Sequence, residues 1–344
     1  MCYRTWSPEL MKSGNDWNGT VALQRISVVV VSYNVREHLS HCLESLLLGK
    51  RGEIYLQNGI HEIIVVDNNS SDGSADLVKK QYPMVELIEN SENKGFGRAV
   101  NQGCAAATGD YLLILNPDSL VVGKGPQLMA EYMNCHPSIG VLGCRILNSD
   151  YSYQESARGF PDITTPFFGR TSIWSRIIPM NPLSSRNLPR VNELREPLAV
   201  DWVSGACMMI SREVFNGFQG FHEGFFMYWE DADLCLRLKE AGYETVYFPD
   251  ATVLHITGRS SAKFPFRSTL HFYRSAHLYY CRNMRPSGKL TSFVMDVLAA
   301  FGTVAIGSFD LCRHFFRFLF RSASGFFSAV TIPKKKGSLL VAPR

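Results

Sequence analysis

At 344 residues, 46% hydrophobic and 19% charged, the chain can bury one large α/β core or two smaller ones and needs no covalent staples to fold. Its nine cysteines are odd in number and include no C-x-x-C pair, which argues against a disulfide framework and a zinc ribbon and points to a reducing compartment. The net charge of +4 conceals a polarity: after Asp250 fourteen Lys or Arg face only Asp296 and Asp310, a surplus of twelve, so the first 250 residues carry −8. A basic tail of this kind suits an anionic surface such as membrane phospholipid or a phosphorylated lipid carrier; nucleic acid is not an expected partner.

Residues 1–24 read as an N-terminal extension. Through Trp6, Asp16, Trp17 and Gln24 they contain no apolar run that would serve as a signal-peptide core, so a cytoplasmic location is expected. Ile26 to Tyr33 (I-S-V-V-V-V-S-Y) is too short for a helix core and too uniformly apolar for a sheet edge, and predicts a buried parallel strand. An amphipathic stretch from Val35 to Leu48 predicts a helix, His61 to Asp67 a strand, Ser74 to Gln81 a helix and Met84 to Glu89 a strand. That alternation is a βαβαβ pattern. A helix from Gly97 to Ala107 leads into strands at Asp110 to Leu115 and Ile139 to Ile146, and ligands are expected at the carboxyl ends of these strands. Between Asn148 and Pro197 six prolines interrupt any regular element, so this segment is expected to be loop. Order resumes at Trp202 to Ile210, followed by a helix from Asp231 to Glu240, a stop at Gly242 and a strand from Glu244 to Phe248.

Polar clusters sit at the predicted strand ends. Ser32-Tyr33-Asn34 closes the first strand, and Asp67 to Ser74 (D-N-N-S-S-D-G-S) closes the second. Asp67 can accept a hydrogen bond from a pyrimidine N3, Tyr33 offers an aromatic surface, and Ser74 can cap the next helix; the same residues also suit an ordinary capping turn. No G-x-G-x-x-G follows the first strand, which disfavours a dinucleotide dehydrogenase. Asn93 to Gly103 places glycines and Arg98 at a helix start, where backbone N–H groups and the dipole favour phosphate. Asn116-Pro117-Asp118 brings a carboxylate out of an apolar strand, a position from which Asp118 can hold a divalent cation against phosphate oxygens. In Phe225 to Leu238 the three carboxylates Glu230, Asp231 and Asp233 crowd a helix start behind an aromatic run. Apolar neighbours and mutual repulsion there can raise one pKa toward that of a general base. His255, in V-L-H-I-T-G, is either a metal ligand or a satisfied core histidine.

Taken together and in this order, these residues resemble the family-2 glycosyltransferases of GT-A fold, particularly the rhamnosyltransferase-like and galactofuranosyltransferase-like branches, over roughly Ile26 to Ile256. The resemblance implies an α/β GT-A domain over 25–258, with a nucleotide-sugar half (25–147) and an acceptor half (148–258), followed by a helical basic tail (259–344). It implies that Tyr33, Asn34, Asp67, Asn69, Asn93, Gly95, Arg98 and Asn116 bind the donor. Asp118 and His255 would bind Mg2+ or Mn2+, Asp231 would be the catalytic base, and Trp229, Glu230 and Asp233 would handle the acceptor. The expected activity is inverting transfer of a single sugar to a lipid-linked or polysaccharide acceptor. The donor is dTDP-rhamnose or, alternatively, a UDP-sugar serving galactofuranosyl or another hexosyl transfer. A non-catalytic glycan- or nucleotide-binding module of the same fold is the reading from another class.

Two positions depart from the family pattern: Asn116 stands where many relatives have the leading aspartate of an Asp-x-Asp pair, and Phe221-His222-Glu223 replaces a common Phe-Asp-Glu. The Gln-x-x-Arg-Trp signature of processive synthases is absent. In the tail, Arg313, Arg317 and Arg321 fall on one helical stripe among phenylalanines, and Lys334 to Lys336 follow; peripheral contact with the inner face of the plasma membrane is expected.

Overall fold

A computed structural model describes residues 24–48, 55–56, 59–160, 194–256 and 265–284. The expected N-terminal extension, most of the proline-rich segment and the arginine stripe and lysine run of the tail lie outside the described residues.

The chain opens with β1 (Ile26–Ser32), α1 (Arg36–Leu46), β2 (Leu47–Leu48), β3 (Tyr55–Leu56), β4 (Ile60–Asp67), α2 (Ser74–Gln81), β5 (Glu86–Glu89), α3 (Phe96–Ala106) and β6 (Tyr111–Leu115). It continues through β7 (Ser119–Val122), α4 (Gly125–Cys135), β8 (Ile139–Leu147), β9 (Tyr153–Gln154) and β10 (Ala157–Arg158). The second half adds β11 (Leu198–Val200), β12 (Trp202–Val203), β13 (Cys207–Ser211), α5 (Arg212–Gly217), α6 (Glu230–Glu240), β14 (Glu244–His255) and α7 (Pro265–Asn283).

One mixed sheet runs in the order β11-β14-β8-β13-β6-β1-β4-β5, with β7 on β14 and β9 on β8. The β6-β1-β4-β5 half is parallel, and β13 enters antiparallel to both β6 and β8. Residues of β1 alternate between two cores. Val28 and Val30 join Leu39, Leu43, Met129 and Met133 on one face, while Val29 and Val31 join Val100, Cys104, Leu234 and Tyr279 on the other. Helices therefore cover both faces, which is why β1 is apolar at nearly every position.

The expected Trp202–Ile210 stretch is split into β12 and β13 by the turn Ser204-Gly205-Ala206. β14 runs to His255 rather than ending at Phe248. Its ladder with β8 slips between Phe248 and Thr252, at Pro249, which has no N–H to donate. Beyond the slip β14 pairs antiparallel with β7, placing His255 opposite Ser119. Among the described helices none is long and apolar enough to cross a membrane.

Candidate active site

The residues expected to bind the nucleotide gather at the ends of β1 and β4. Asp67 is 3% exposed; its Oδ2 accepts from the Ser70 N–H at 2.8 Å, while Oδ1 is buried with no partner. An unmet buried acceptor costs about 1–3 kcal/mol, which a ligand N–H can offset. Ser32 Oγ beside it is also unmet, and Tyr33 is 39% exposed with its ring free to be covered. Asn34 and Asn69 adopt left-handed backbone (φ 56° and 66°). Asn34 Oδ1 accepts from Ser71 N at 2.8 Å and its own N–H donates to Ser70 Oγ at 2.9 Å, so Asn34 staples the 67–74 turn. Capping falls to Asp72, not Ser74: its carboxylate accepts from Arg36 N at the start of α1 and from Ser74 N at the start of α2.

Beneath this turn lies a buried amide chain that sequence reasoning missed. Asn68 Nδ2 donates to Gly95 O at 3.0 Å, Asn90 Nδ2 donates to Asn68 Oδ1 at 2.9 Å, and Gln102 Nε2 returns a bond to Asn90 Oδ1. It fixes the Asn93–Phe96 loop, in which Asn93 Oδ1 accepts from Gly95 N at 2.9 Å. Phe96 N donates to Phe226 O at 2.7 Å, docking this loop on the acceptor half. Gly95 has φ +86°, and a Cβ there would overlap Phe226 O. Arg98 extends to the same half, with Nε 3.2 Å from Glu223 O and an ion pair to its carboxylate at 3.4 Å.

At the end of β6, Asp118 and His255 meet: Asp118 Oδ1 and His255 Nε2 are 3.0 Å apart, and both residues are more than nine-tenths buried. Asn116 Nδ2 lies 3.4 Å from the same imidazole nitrogen, and Gln154 Oε1 is 3.0 Å from Nδ1. Among the described residues no three His, Cys, Asp or Glu side chains converge as a metal site, so the protein offers a carboxylate and an imidazole. Their separation matches the roughly 3.0 Å between adjacent ligands of an octahedral cation with bonds of about 2.1 Å. The donor set therefore fits a Mg2+ or Mn2+ ion that would draw its other ligands from outside these two side chains.

Among the residues expected to meet the acceptor, Tyr228 and Trp229 take left-handed backbone in succession (φ 70° and 73°), an arrangement costing about 1–3 kcal/mol per residue. α7 holds it: His271 stacks on Phe226 at 4.3 Å, Phe272 packs on Tyr228 and Trp229, Tyr279 on Trp229, and Ser275 Oγ donates to Met227 O. Asp231, part-exposed, accepts from Gly205 N at 3.0 Å and Ala232 N at 2.9 Å. Burial raises its pKa, and the two backbone donors and the Arg158 guanidinium pull the other way without cancelling the rise. Glu230 is 5% exposed and pushed up to about 8, first by burial and then by the Asp231 charge. Its Oε2 and Trp229 Nε1 are both buried and unpartnered, an acceptor and a donor of the kind a sugar hydroxyl satisfies.

Asp233 is not brought beside Asp231. Two residues along a helix is about 200° around its axis, and the fully buried Asp233 carboxylate is engaged by Arg237 Nε at 2.9 Å, Arg282 Nε at 3.2 Å and Asn283 Nδ2 at 3.1 Å. Ala206 O accepts from Asn116 N, and the neighbouring Gly205 N–H holds Asp231, so the 204–206 turn ties the Asp118 strand end to the Asp231 helix.

The glycosyl transferase family 2 model matches residues 27–218. The chain belongs to this family. An N-acetylglucosaminyl-diphospho-decaprenol L-rhamnosyltransferase of Mycobacterium tuberculosis is 30% identical over 269 residues, 74% of this chain and 83% of that protein. Rhamnosyltransferase WbbL of Escherichia coli K12 is 25% identical, with 75% and 93% covered. In fold, a mannosyltransferase from Pyrobaculum calidifontis in complex with GDP-Man and Mn2+ aligns with TM-score 0.50 at 17% identity, covering 85% of this chain and 73% of that one. GalNAc-T7 with UDP, GalNAc and Mn2+ aligns with TM-score 0.52 at 16% identity, covering 85% and 58%. The protein is thus a family-2 glycosyltransferase with a GT-A core, similar in sequence to enzymes of glycan biosynthesis. Its family model stops at residue 218, before α6, β14 and α7, which carry Asp231, His255 and the side chains packed on Trp229.

Proposed function

We propose that this glycosyltransferase moves one rhamnosyl residue from dTDP-rhamnose to a lipid-linked saccharide, with inversion and with a divalent cation. The observation that carries the metal-assisted reading is the 3.0 Å contact between the buried Asp118 carboxylate and the buried His255 imidazole. The rhamnosyl donor and the lipid-linked acceptor follow the names of the relatives, and the unmet Asp67 Oδ1 favours a pyrimidine whose N3–H would satisfy it. The catalytic unit in this reading is 25–258, with its nucleotide half ending near residue 147, and α7 of the basic tail braces its acceptor side. Residues beyond it would touch the inner face of the plasma membrane through positive charge.

Asp118 and His255 would hold the cation. When bound, it would supply positive charge to the departing nucleoside diphosphate. Tyr33 would cover the base, and Asn93, Gly95 and Arg98 would line the phosphate side. Asp231 takes the proton from the acceptor hydroxyl as that oxygen bonds to the anomeric carbon, while the carbon–oxygen bond to the diphosphate breaks on the opposite face and the electron pair leaves with the diphosphate. Its raised pKa suits this role, because a base is most effective when its pKa approaches the working pH. Glu230 and Trp229 would orient the acceptor by the two unmet groups described above.

Thermal stabilisation by a panel of nucleotide sugars, with Mn2+ or with EDTA, tests the donor. At a ligand concentration of 100 Kd the gain is about 2.7 kcal/mol, and dTDP-rhamnose with Mn2+ is expected to give the largest shift. A larger shift from UDP-sugars would move the assignment to galactofuranosyl or other hexosyl transfer. Asp231→Asn is expected to keep that shift while lowering transfer by roughly 10²–10⁴-fold; full transfer by this variant would remove Asp231 as the base.

A further inference from the structure

His255 is gripped at both ring nitrogens, by Asp118 Oδ1 at Nε2 and by Gln154 Oε1 at Nδ1, each at 3.0 Å. A neutral imidazole has one donor nitrogen and one acceptor nitrogen, and an amide oxygen can only accept. With the amide oxygen turned to the ring, the contact with Gln154 is met by a proton on Nδ1. In that tautomer the lone pair of Nε2 lies between the Asp118 carboxylate oxygen at 3.0 Å and the Asn116 amide nitrogen at 3.4 Å, where a cation held by the carboxylate could also be met by the imidazole.

Gln154 is presented firmly. It lies on β9, which runs antiparallel to the end of β8 with Gln154 opposite Ile146, and Ile146 is in turn the partner of Val253 on β14. Two strands thus carry Gln154 to the end of β14 where His255 sits. The preceding hairpin is closed by Asn148 N to Ser152 O, Tyr151 N to Asn148 O and Asn148 Nδ2 to Ser152 Oγ. Alternation along β9 turns Tyr153 the other way, where the Arg145 guanidinium lies 5.8 Å from its ring centre. Nothing in the motif pattern marks Gln154, because its spacing from His255 in sequence is 101 residues.

We propose that Gln154 is a positioning residue that fixes the Nδ1–H tautomer and ring plane of His255, so that Nε2 offers its lone pair to a divalent cation shared with Asp118. This rests on the metal-assisted reading above. Partners of this kind around a metal-binding histidine change affinity by about 10–100-fold when removed.

The test titrates Mn2+ into the full-length protein in the presence of dTDP, following free Mn2+ by electron paramagnetic resonance, for wild type, Gln154→Leu and Gln154→Glu. Gln154→Leu is expected to weaken Mn2+ binding about 10–100-fold. Gln154→Glu, which keeps an acceptor at Nδ1, should bind at least as tightly as wild type. Binding of dTDP in EDTA should be the same in all three, which also reports that the variants are folded. Nitrogen-15 spectra of histidine-labelled, metal-free protein give a readout that added charge does not mimic: the His255 Nδ1–H form in wild type and Gln154→Glu, and its loss in Gln154→Leu. Equal Mn2+ affinity of Gln154→Leu and wild type overturns the proposal, as does a Gln154→Glu variant as weak as Gln154→Leu, which would mean that the amide donates to Nδ1. A wild-type protein that takes up no Mn2+ overturns the metal reading itself and this inference with it.

Discussion

Replacing Asp233 separates a chemical role for its carboxylate from a structural one. Asp233→Asn preserves shape and one acceptor oxygen but removes the charge that Arg237 and Arg282 share at 2.9 and 3.2 Å. Breaking a buried ion pair on one side costs about 3–5 kcal/mol. The two arginine side chains are 21% and 31% exposed, so water recovers part of their solvation, and roughly 2–3 kcal/mol remains. Arg237 stays anchored by Phe218 O and Gly220 O at 2.8 and 2.7 Å. The loss therefore falls on Arg282 and Asn283, at the C-terminal end of α7. Urea unfolding followed by circular dichroism should show the midpoint falling by about 1 M for a slope near 2–3 kcal/mol per molar. Transfer by the folded fraction should persist. In a double-mutant cycle, Asp233→Asn and Arg282→Gln should couple by about 0.5–3 kcal/mol. An unchanged midpoint together with lost transfer would refute the reasoning and return Asp233 to the acceptor.

Three further outcomes are expected. Glu230 has its pKa raised by burial, so its neutral form is favoured in the folded state; the native protein then binds more protons than the unfolded chain between about pH 4.5 and about pH 8, and stability falls as pH rises through that window. Glu230→Gln should flatten the fall, by up to about 1.4 kcal/mol per pH unit, and parallel stability curves for the two proteins would exclude it. Gly95→Ala forces a side chain into φ +86° against Phe226 O; about 1–3 kcal/mol of strain should appear as lost stability, measured by thermal unfolding, with weakened nucleotide binding. Asp67→Ala should weaken dTDP and UDP about tenfold while leaving ADP unchanged, since uracil and thymine carry a ring N3–H for the unmet Oδ1 and adenine has no ring N–H on its pairing edge; calorimetry showing equal loss for ADP and the pyrimidine nucleotides would contradict base recognition.

The α/β frame, and the strand ends and helix starts where polar residues collect, were legible in the amino-acid order alone. Runs such as I-S-V-V-V-V-S are readable because a strand covered on both faces must be apolar at nearly every position, and Asp67, Asp118 and Asp231 stand out because each carboxylate ends or begins an element beside apolar residues. Elements without a strong period escaped it: β7 and α4, between Ser119 and Cys135, and the short strands within and beside the proline-rich stretch, which exist only because β8, β12 and β14 offer them open edges. Which polar residues meet one another was settled by packing. Helical rotation sends Asp233 away from Asp231, the amides of Asn68, Asn90 and Gln102 meet across three elements, and Gln154 reaches His255 through two strand pairings. Local pattern records which face a residue occupies within its own element; the distance between residues a hundred positions apart is set by how those elements pack.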